Sequence, residues 1–222
     1  METRRVVLHF VLLLLATRTS DSASIERIFP VDGTIMLTPN PPVTEMITRI
    51  VWKHGVNLLA EGMDGKLYYF NRFTGRATLN ITNGVLTVTN ARLSDSASYE
   101  VEVNNKIQEL RYDVKVIREV PKPSVSPKPL TCGPKSDRCD LTCEGDTSGA
   151  EPVSYSWMKG GVEWNQQAKK VEIKNTKDMA GVKTFSCEMK NNVSSEVVHV
   201  LQMALMLNTV ALLLCSFHTA VH

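Results

Sequence analysis

Nearly every segment in the middle of this chain alternates apolar and polar residues with a period of two, and helical periodicity is almost absent. The clearest cases are TIMLT (Thr34 to Thr38), TRIVWKH (Thr48 to His54), RATLNIT (Arg76 to Thr82), VLTVT (Val85 to Thr89), SYEVEVN (Ser98 to Asn104) and ELRYDVKVI (Glu109 to Ile117). Residues two apart on a strand share a face, so each segment has one row to bury and one to leave in water. Many short segments of this kind, separated by turn residues, are buried by stacking sheet on sheet, which makes the expected class all-β. Asn83-Gly84, between two of the segments, is a hairpin turn signal.

The stretch VPKPSVSPKP (Val120 to Pro129) holds four prolines. Proline removes ladder donors and stiffens the chain, so residues 120–129 are expected to form a short semi-rigid linker. Strand-like segments resume with DLTCEG, VSYSWMKG, KKVEIKN, KTFSCEMKN and SSEVVHVLQ. Two tandem sandwiches follow, over residues 24–119 and 130–202.

The two ends differ from the middle. Arg4 and Arg5 followed by VVLHFVLLLLA are the charged and apolar regions of a secretory signal peptide over residues 1–23, which routes the chain to an oxidising compartment. From Val197 to His222 there is no Lys, Arg, Asp or Glu and no basic stop. The apolar tail, residues 203–222, therefore reads either as a glycosylphosphatidylinositol (GPI) attachment signal or as a membrane helix with almost no interior tail. Small residues at Asn191 to Ser195 suit an attachment site, yet SSEVVHVLQM is also needed as the last strand. With 25 basic against 23 acidic residues there is no clustered field for nucleic acid.

Cys143, Trp157 and Cys187 fall in that order on three expected strands, the pattern of an immunoglobulin inter-sheet disulfide with its packing tryptophan. Cys132 and Cys139 flank GPKSDR and can join the first two strands of that domain if the loop is a hairpin, and Cys215 lies in the tail. A zinc site fails on spacing, compartment and the lack of a nearby histidine. The first half has no cysteine. It has Arg76, then LSDSASYEV (Leu93 to Val101), a variable-type Asp-x-Ala-x-Tyr-x-Cys pattern with Val101 in the cysteine position. Asp95 is expected to pair with Arg76, Tyr99 to form the tyrosine corner, Trp52 to be the core tryptophan of strand C, and Leu37 to stand in for the other cysteine. His54, expected as a solvated strand-end residue, and His199 accompany no nucleophile elbow, phosphate-cradling loop or metal-ligand spacing, so an enzyme, a cofactor and a small-molecule substrate are not expected.

On GRATLNIT, NGVLTVTNARLSDSASYEVEV, VSYSWMKG and TFSCEMKNNVSSE, the chain resembles the signalling lymphocytic activation molecule (SLAM) family of leukocyte receptors over about residues 25 to 200. The resemblance implies a cell-surface adhesion or recognition protein of leukocytes, some of whose relatives are GPI-anchored. Its partner would be another cell-surface immunoglobulin-family protein, the same chain or a different one. A secreted modulator without an anchor is the alternative. Relatives tie the start of the second domain to a cysteine after its last strand, and since none precedes the tail here, Cys139 is left as the partner of Cys132.

The resemblance also places binding on the front sheet of the first domain. Alternation then turns Arg49, Val51 and Lys53 outward on strand C, and Glu100, Glu102 and Asn104 outward on strand F. On strand G it turns out Glu109, Arg111 and Asp113, provided Leu110 and Tyr112 face the core. Such a face carries both signs of charge and few large apolar groups. The sequons Asn80-Ile81-Thr82 and Asn192-Val193-Ser194 are candidate glycosylation sites, with Asn80 on the back sheet, away from the binding face.

Overall fold

Short alternating segments do become short strands. The computed structural model describes residues 23–128, 136–174 and 184–201, with 176, 179 and 182 between the last two stretches. Ten strands precede the second half: β1 (Ser24–Pro30), β2 (Ile35–Leu37), β3 (Arg49–His54), β4 (Asn57–Met63), β5 (Lys66–Tyr69), β6 (Ala77–Leu79), β7 (Leu86–Val88), β8 (Ala97–Val103), β9 (Lys106–Ile107) and β10 (Arg111–Ile117). They make a front sheet in the order β1-β10-β8-β3-β4-β5, with β9 paired to β8, and a back sheet in the order β2-β7-β6.

The core between these sheets is built from the buried rows of each strand. Ile35, Leu37, Leu86 and Val88 come from the back sheet, and Ile50, Trp52, Tyr99, Val101 and Tyr112 from the front. Trp52 lies directly opposite Val101 and donates its indole N–H to the Gly84 carbonyl at 2.9 Å. Tyr112 sits 6.4 Å from Trp52, ring centroid to ring centroid, and donates its hydroxyl to the Thr38 carbonyl at 2.7 Å. Both aromatics thus bury a large apolar body without stranding a polar atom.

Asp95 is fully buried and accepts from the Arg92 N–H at 2.9 Å, while Arg76 donates Nε to the Arg72 carbonyl and lies over the Phe73 ring.

The strand RATLNIT ends earlier than its alternation suggests, at Leu79. Asn80 accepts from the N–H groups of Thr82 and Asn83, which draws the chain out of the sheet. The hairpin therefore closes as a four-residue loop on Asn80 and Val85 rather than on Asn83-Gly84 alone. Gly84 adopts φ +77°, and a side chain there would meet Pro39 and Ile50.

The second half supplies β11 (Ser124–Lys128), β12 (Arg138–Glu144), β13 (Ser154–Lys159), β14 (Val162–Trp164), β15 (Lys170–Lys174), β16 (Thr184–Lys190) and β17 (Ser195–Leu201). They form sheets β11-β12-β15 and β14-β13-β16-β17, joined by the Cys143–Cys187 disulfide. Trp157 lies opposite Cys187 and donates its indole N–H to the Ala168 carbonyl at 2.9 Å.

One expectation is corrected here. Much of the proline-rich stretch is not a linker but β11, and Val120 before it belongs to the second core. Proline is admitted because β11 is an edge strand, where a missing N–H need not break a ladder.

β11 and β12 pair antiparallel, so the loop between them is a hairpin connection. Cys139 is buried and disulfide-bonded, and Cys132 lies outside the described residues. β17 pairs with β16 from Ser195 through Leu201, which gives SEVVHVL to the fold. The expected signal peptide, apart from Ala23, and the apolar tail, residues 203–222, lie outside the described residues. No helix among the described residues is long and apolar enough to cross a membrane.

The chain gathers into two compact units. One holds Met36–Val88 and Ala97–Val114 with the start of β1, and the other holds Ile28–Ile35, Thr89–Ser96 and the described residues from Lys115 onward.

Candidate ligand-binding face

Residues directly opposite one another in an antiparallel pair share a face, so the register assembles the outward side of the front sheet. Arg49 faces Met63, and Val51 faces Glu61 on one side and Glu102 on the other. Lys53 faces Glu100 and, past a bulge in β4, Leu58, while Glu61 faces Tyr68 and Glu102 faces Ile107.

A continuous ion-pair chain crosses three of these strands. Arg49 donates Nε to Glu61 Oε1 at 2.9 Å and Nη1 to Glu102 Oε1 at 3.0 Å. Lys53 Nζ lies 3.7 Å from Glu102 Oε2. Arg49 also reaches Asn105 Oδ1 at 3.2 Å. Of the charges expected on this face, Arg49, Lys53 and Glu102 are bonded to one another across strands, with Glu61 as a further partner.

The chain explains why Val51 is buried in this structure. It points outward with Arg49 and Lys53, as alternation requires, yet it is only 1% exposed. Its two cross-strand neighbours, Glu61 and Glu102, are bridged by the one guanidinium, which lies over it as a lid.

Asn104 is also reassigned. It is no longer on the strand but at the first position of a two-residue turn, Asn104-Asn105, with φ of +49° and +64°. Both values suit the turn that matches strand twist, and asparagine tolerates them. Its Oδ1 accepts from Thr48 N–H, Thr48 Oγ1 and Arg49 N–H, and its Nδ2 donates to the Met46 carbonyl. Asn104 therefore anchors the entry to β3 through both of its amide atoms.

Glu109 precedes β10 rather than lying on it. The register shifts by two between Glu102–Ile107 and Tyr99–Tyr112, and an even insertion keeps Arg111 and Asp113, both half-buried, on the outward side. Leu110 is half-buried and Tyr112 buried.

Four large apolar side chains on this face had no counterpart in the sequence reading. Leu58, Met63 and Tyr68 on β4 and β5, and Ile107 on β9, are all exposed, Tyr68 to 46% and Ile107 to 63%. They ring the ion-pair chain. His54, at the end of β3, is not simply solvated: it packs edge-on against Tyr99 at 5.2 Å, contacts Phe73 at 5.3 Å, and its Nε2 lies 3.0 Å from an Arg72 nitrogen.

Asn80 and Asn192 are both exposed, the first after β6 at the edge of the back sheet and the second in the β16–β17 turn.

The two sandwiches, the inter-sheet disulfide and the front sheet together define an immunoglobulin-like fold. Among solved structures, the CD2-binding domain of CD58 (lymphocyte function-associated antigen 3) matches with a TM-score of 0.62 at 20% identity, covering 81% of this chain and 98% of that one. Murine CEACAM1b matches with a TM-score of 0.64 at 18% identity and the same coverage. In sequence, human lymphocyte function-associated antigen 3 is 23% identical over 168 residues, or 73% of this chain. The chain spans 64% of that relative's length. No family model matches the chain.

Proposed function

We propose that this protein is a cell-surface adhesion or recognition molecule of leukocytes, related to the SLAM-type receptors, whose first sandwich binds another immunoglobulin-family protein through its front sheet. Residues 203–222 direct its attachment to the membrane, either as a glycosylphosphatidylinositol signal that is exchanged for the lipid anchor or as a membrane helix. The observation that carries this reading is the ion-pair chain Glu61–Arg49–Glu102–Lys53 ringed by Leu58, Met63, Tyr68 and Ile107.

Charges already paired within one molecule are held in fixed geometry, so they orient a partner and reject mismatched ones more than they add affinity. The apolar and aromatic groups supply the area that can be desolvated, and tyrosine is a frequent energetic anchor in such contacts. The likeness to the CD2-binding domain of CD58 supports an immunoglobulin-family partner.

The test is a screen of the soluble two-domain protein, displayed multivalently, against immunoglobulin-family ectodomains including its own, followed by variants of the positive pair. Lys53→Glu and Glu102→Lys should each weaken binding at least about tenfold, since like charges set opposite each other cost several kcal/mol. Thr78→Glu, on the outward face of the back sheet, should leave it unchanged. The opposite pattern would remove the front sheet as the ligand face. Phospholipase release from intact cells distinguishes a lipid anchor from a membrane helix, and recovery of all protein in the medium would refute attachment.

A further inference from the structure

The outward side of the back sheet has no role in the binding just described, yet it has its own apolar and polar pattern. Met36 on β2 is 59% exposed between Ile35 and Leu37, which are both buried. Thr87 on β7 faces Thr78 on β6, and alternation carries the same outward direction from Thr78 to Asn80. Met36, Thr78, Asn80, Asn83 and Thr87 line an open groove of about 620 Å³.

Asn80 forms one wall of this groove and is the first residue of Asn80-Ile81-Thr82. Its two amide atoms differ in use. Oδ1 accepts from the N–H groups of Thr82 at 2.8 Å and Asn83 at 3.3 Å, which fixes the side chain, whereas Nδ2 makes no hydrogen bond among the described residues. The nitrogen that a glycan would occupy is the one the fold leaves unused.

We propose that Asn80 carries an N-linked glycan whose first sugar packs along the back-sheet groove against Met36, covering apolar surface that the three-stranded sheet leaves open. The donor is a lipid-pyrophosphate-linked oligosaccharide. Asn80 Nδ2 bonds to the anomeric carbon, the bond from that carbon to the pyrophosphate breaks, the lipid pyrophosphate departs, and Nδ2 gives up one proton. The apolar face of a sugar ring suits the methionine side chain, and its hydroxyls suit Thr78, Thr87 and Asn83.

The experiment uses the protein secreted from a eukaryotic host. Peptide mass mapping should find the Asn80 peptide carrying hexosamine-based sugar, lost in both Asn80→Gln and Thr82→Ala, and an unmodified peptide overturns the proposal. Thermal unfolding is then compared for the intact glycoprotein, for material trimmed enzymatically to a single N-acetylglucosamine, and for material stripped completely. The trimmed form should keep the melting temperature of the intact form, and the stripped form should melt lower. In Met36→Ser that difference should shrink. Equal melting of all three forms, or a difference untouched by Met36→Ser, would show a glycan that does not pack in the groove. None of these readouts depends on front-sheet binding.

Discussion

The two sandwiches solve the same core problem with different chemistry. In each, a fully buried tryptophan donates its indole N–H to a backbone carbonyl and stands directly opposite one residue of the neighbouring strand. In the second sandwich that residue is Cys187, bonded to Cys143, and in the first it is Val101, with Leu37 buried on β2. The covalent bond of one has thus been replaced by packing in the other. A packed pair stabilises only through the native state, whereas a disulfide also restricts the unfolded chain. The first sandwich should therefore depend more on each individual contact.

The strongest way to break this comparison is to remove the bond. Replacing Cys143 and Cys187 together with Ala should destabilise the second sandwich by about 4 kcal/mol, the loop-closure value for the 44-residue separation. Urea unfolding should show one transition shifted and the transition of the first sandwich in place. Non-reducing peptide mapping of the unaltered protein should recover Cys139 linked to Cys132, and a different partner would refute that pairing. Next in size, Trp52→Phe should cost the first sandwich about 2–3 kcal/mol, from lost volume and from a buried Gly84 carbonyl left without its donor. A loss under about 1 kcal/mol would mean that the first core tolerates repacking as readily as one held by a disulfide.

How far the sequence alone reached depended on whether a feature is local in the chain. Trp52, Trp157, Cys143 and Cys187 could be read because each sits within an alternating segment of ordinary strand composition; the structure buries both tryptophans and joins the two cysteines. Val51 could not, because alternation gives the face of a residue and not what covers it. Its lid needs Glu61, on a strand that alternation passes over: Leu58-Leu59-Ala60 breaks the period of two at the β4 bulge, and Leu59 and Ala60 are both buried. With β4 and β5 unread, the exposed Leu58, Met63 and Tyr68 were invisible, and the face looked more polar than it is. The proline-rich stretch misled for another reason, since an edge strand tolerates the residue that normally argues against a strand.

The front-sheet ion-pair chain offers a smaller, sharper test of how the first sandwich compensates. Arg49→Ala should destabilise it by about 1 kcal/mol, toward the upper end for part-exposed pairs because one guanidinium serves two carboxylates and roofs Val51. Adding Glu61→Gln and Glu102→Gln to Arg49→Ala should recover part of that loss by removing the repulsion between the two carboxylates. If the triple variant is no more stable than the single one, the arginine acts through covering Val51 and not through charge.

The smallest expected effect belongs to the second sandwich, where Glu188 on β16 plays the corresponding part with hydroxyl donors instead of an arginine. Ser195 Oγ and then Ser156 Oγ hydrogen-bond its carboxylate, and these bonds hold its pKa below the usual carboxylate value against the opposing effect of burial. A carboxyl group whose folded pKa is depressed binds fewer protons folded than unfolded at moderately acid pH, so folding is favoured as pH rises. The contribution is fully present above the unfolded pKa and is lost as pH falls through the lower, folded value. Ser195→Ala should cost about 0.5 kcal/mol at neutral pH, the low end for a hydrogen bond at a part-exposed position. Urea unfolding of both proteins from neutral to strongly acid pH should show their stability curves converging as Glu188 protonates, because the carboxylate that Ser195 stabilises is then gone in both. A gap that stays constant down to the acid limit would assign the effect of Ser195 to the β16–β17 turn itself and would leave the carboxylate without the role given to it.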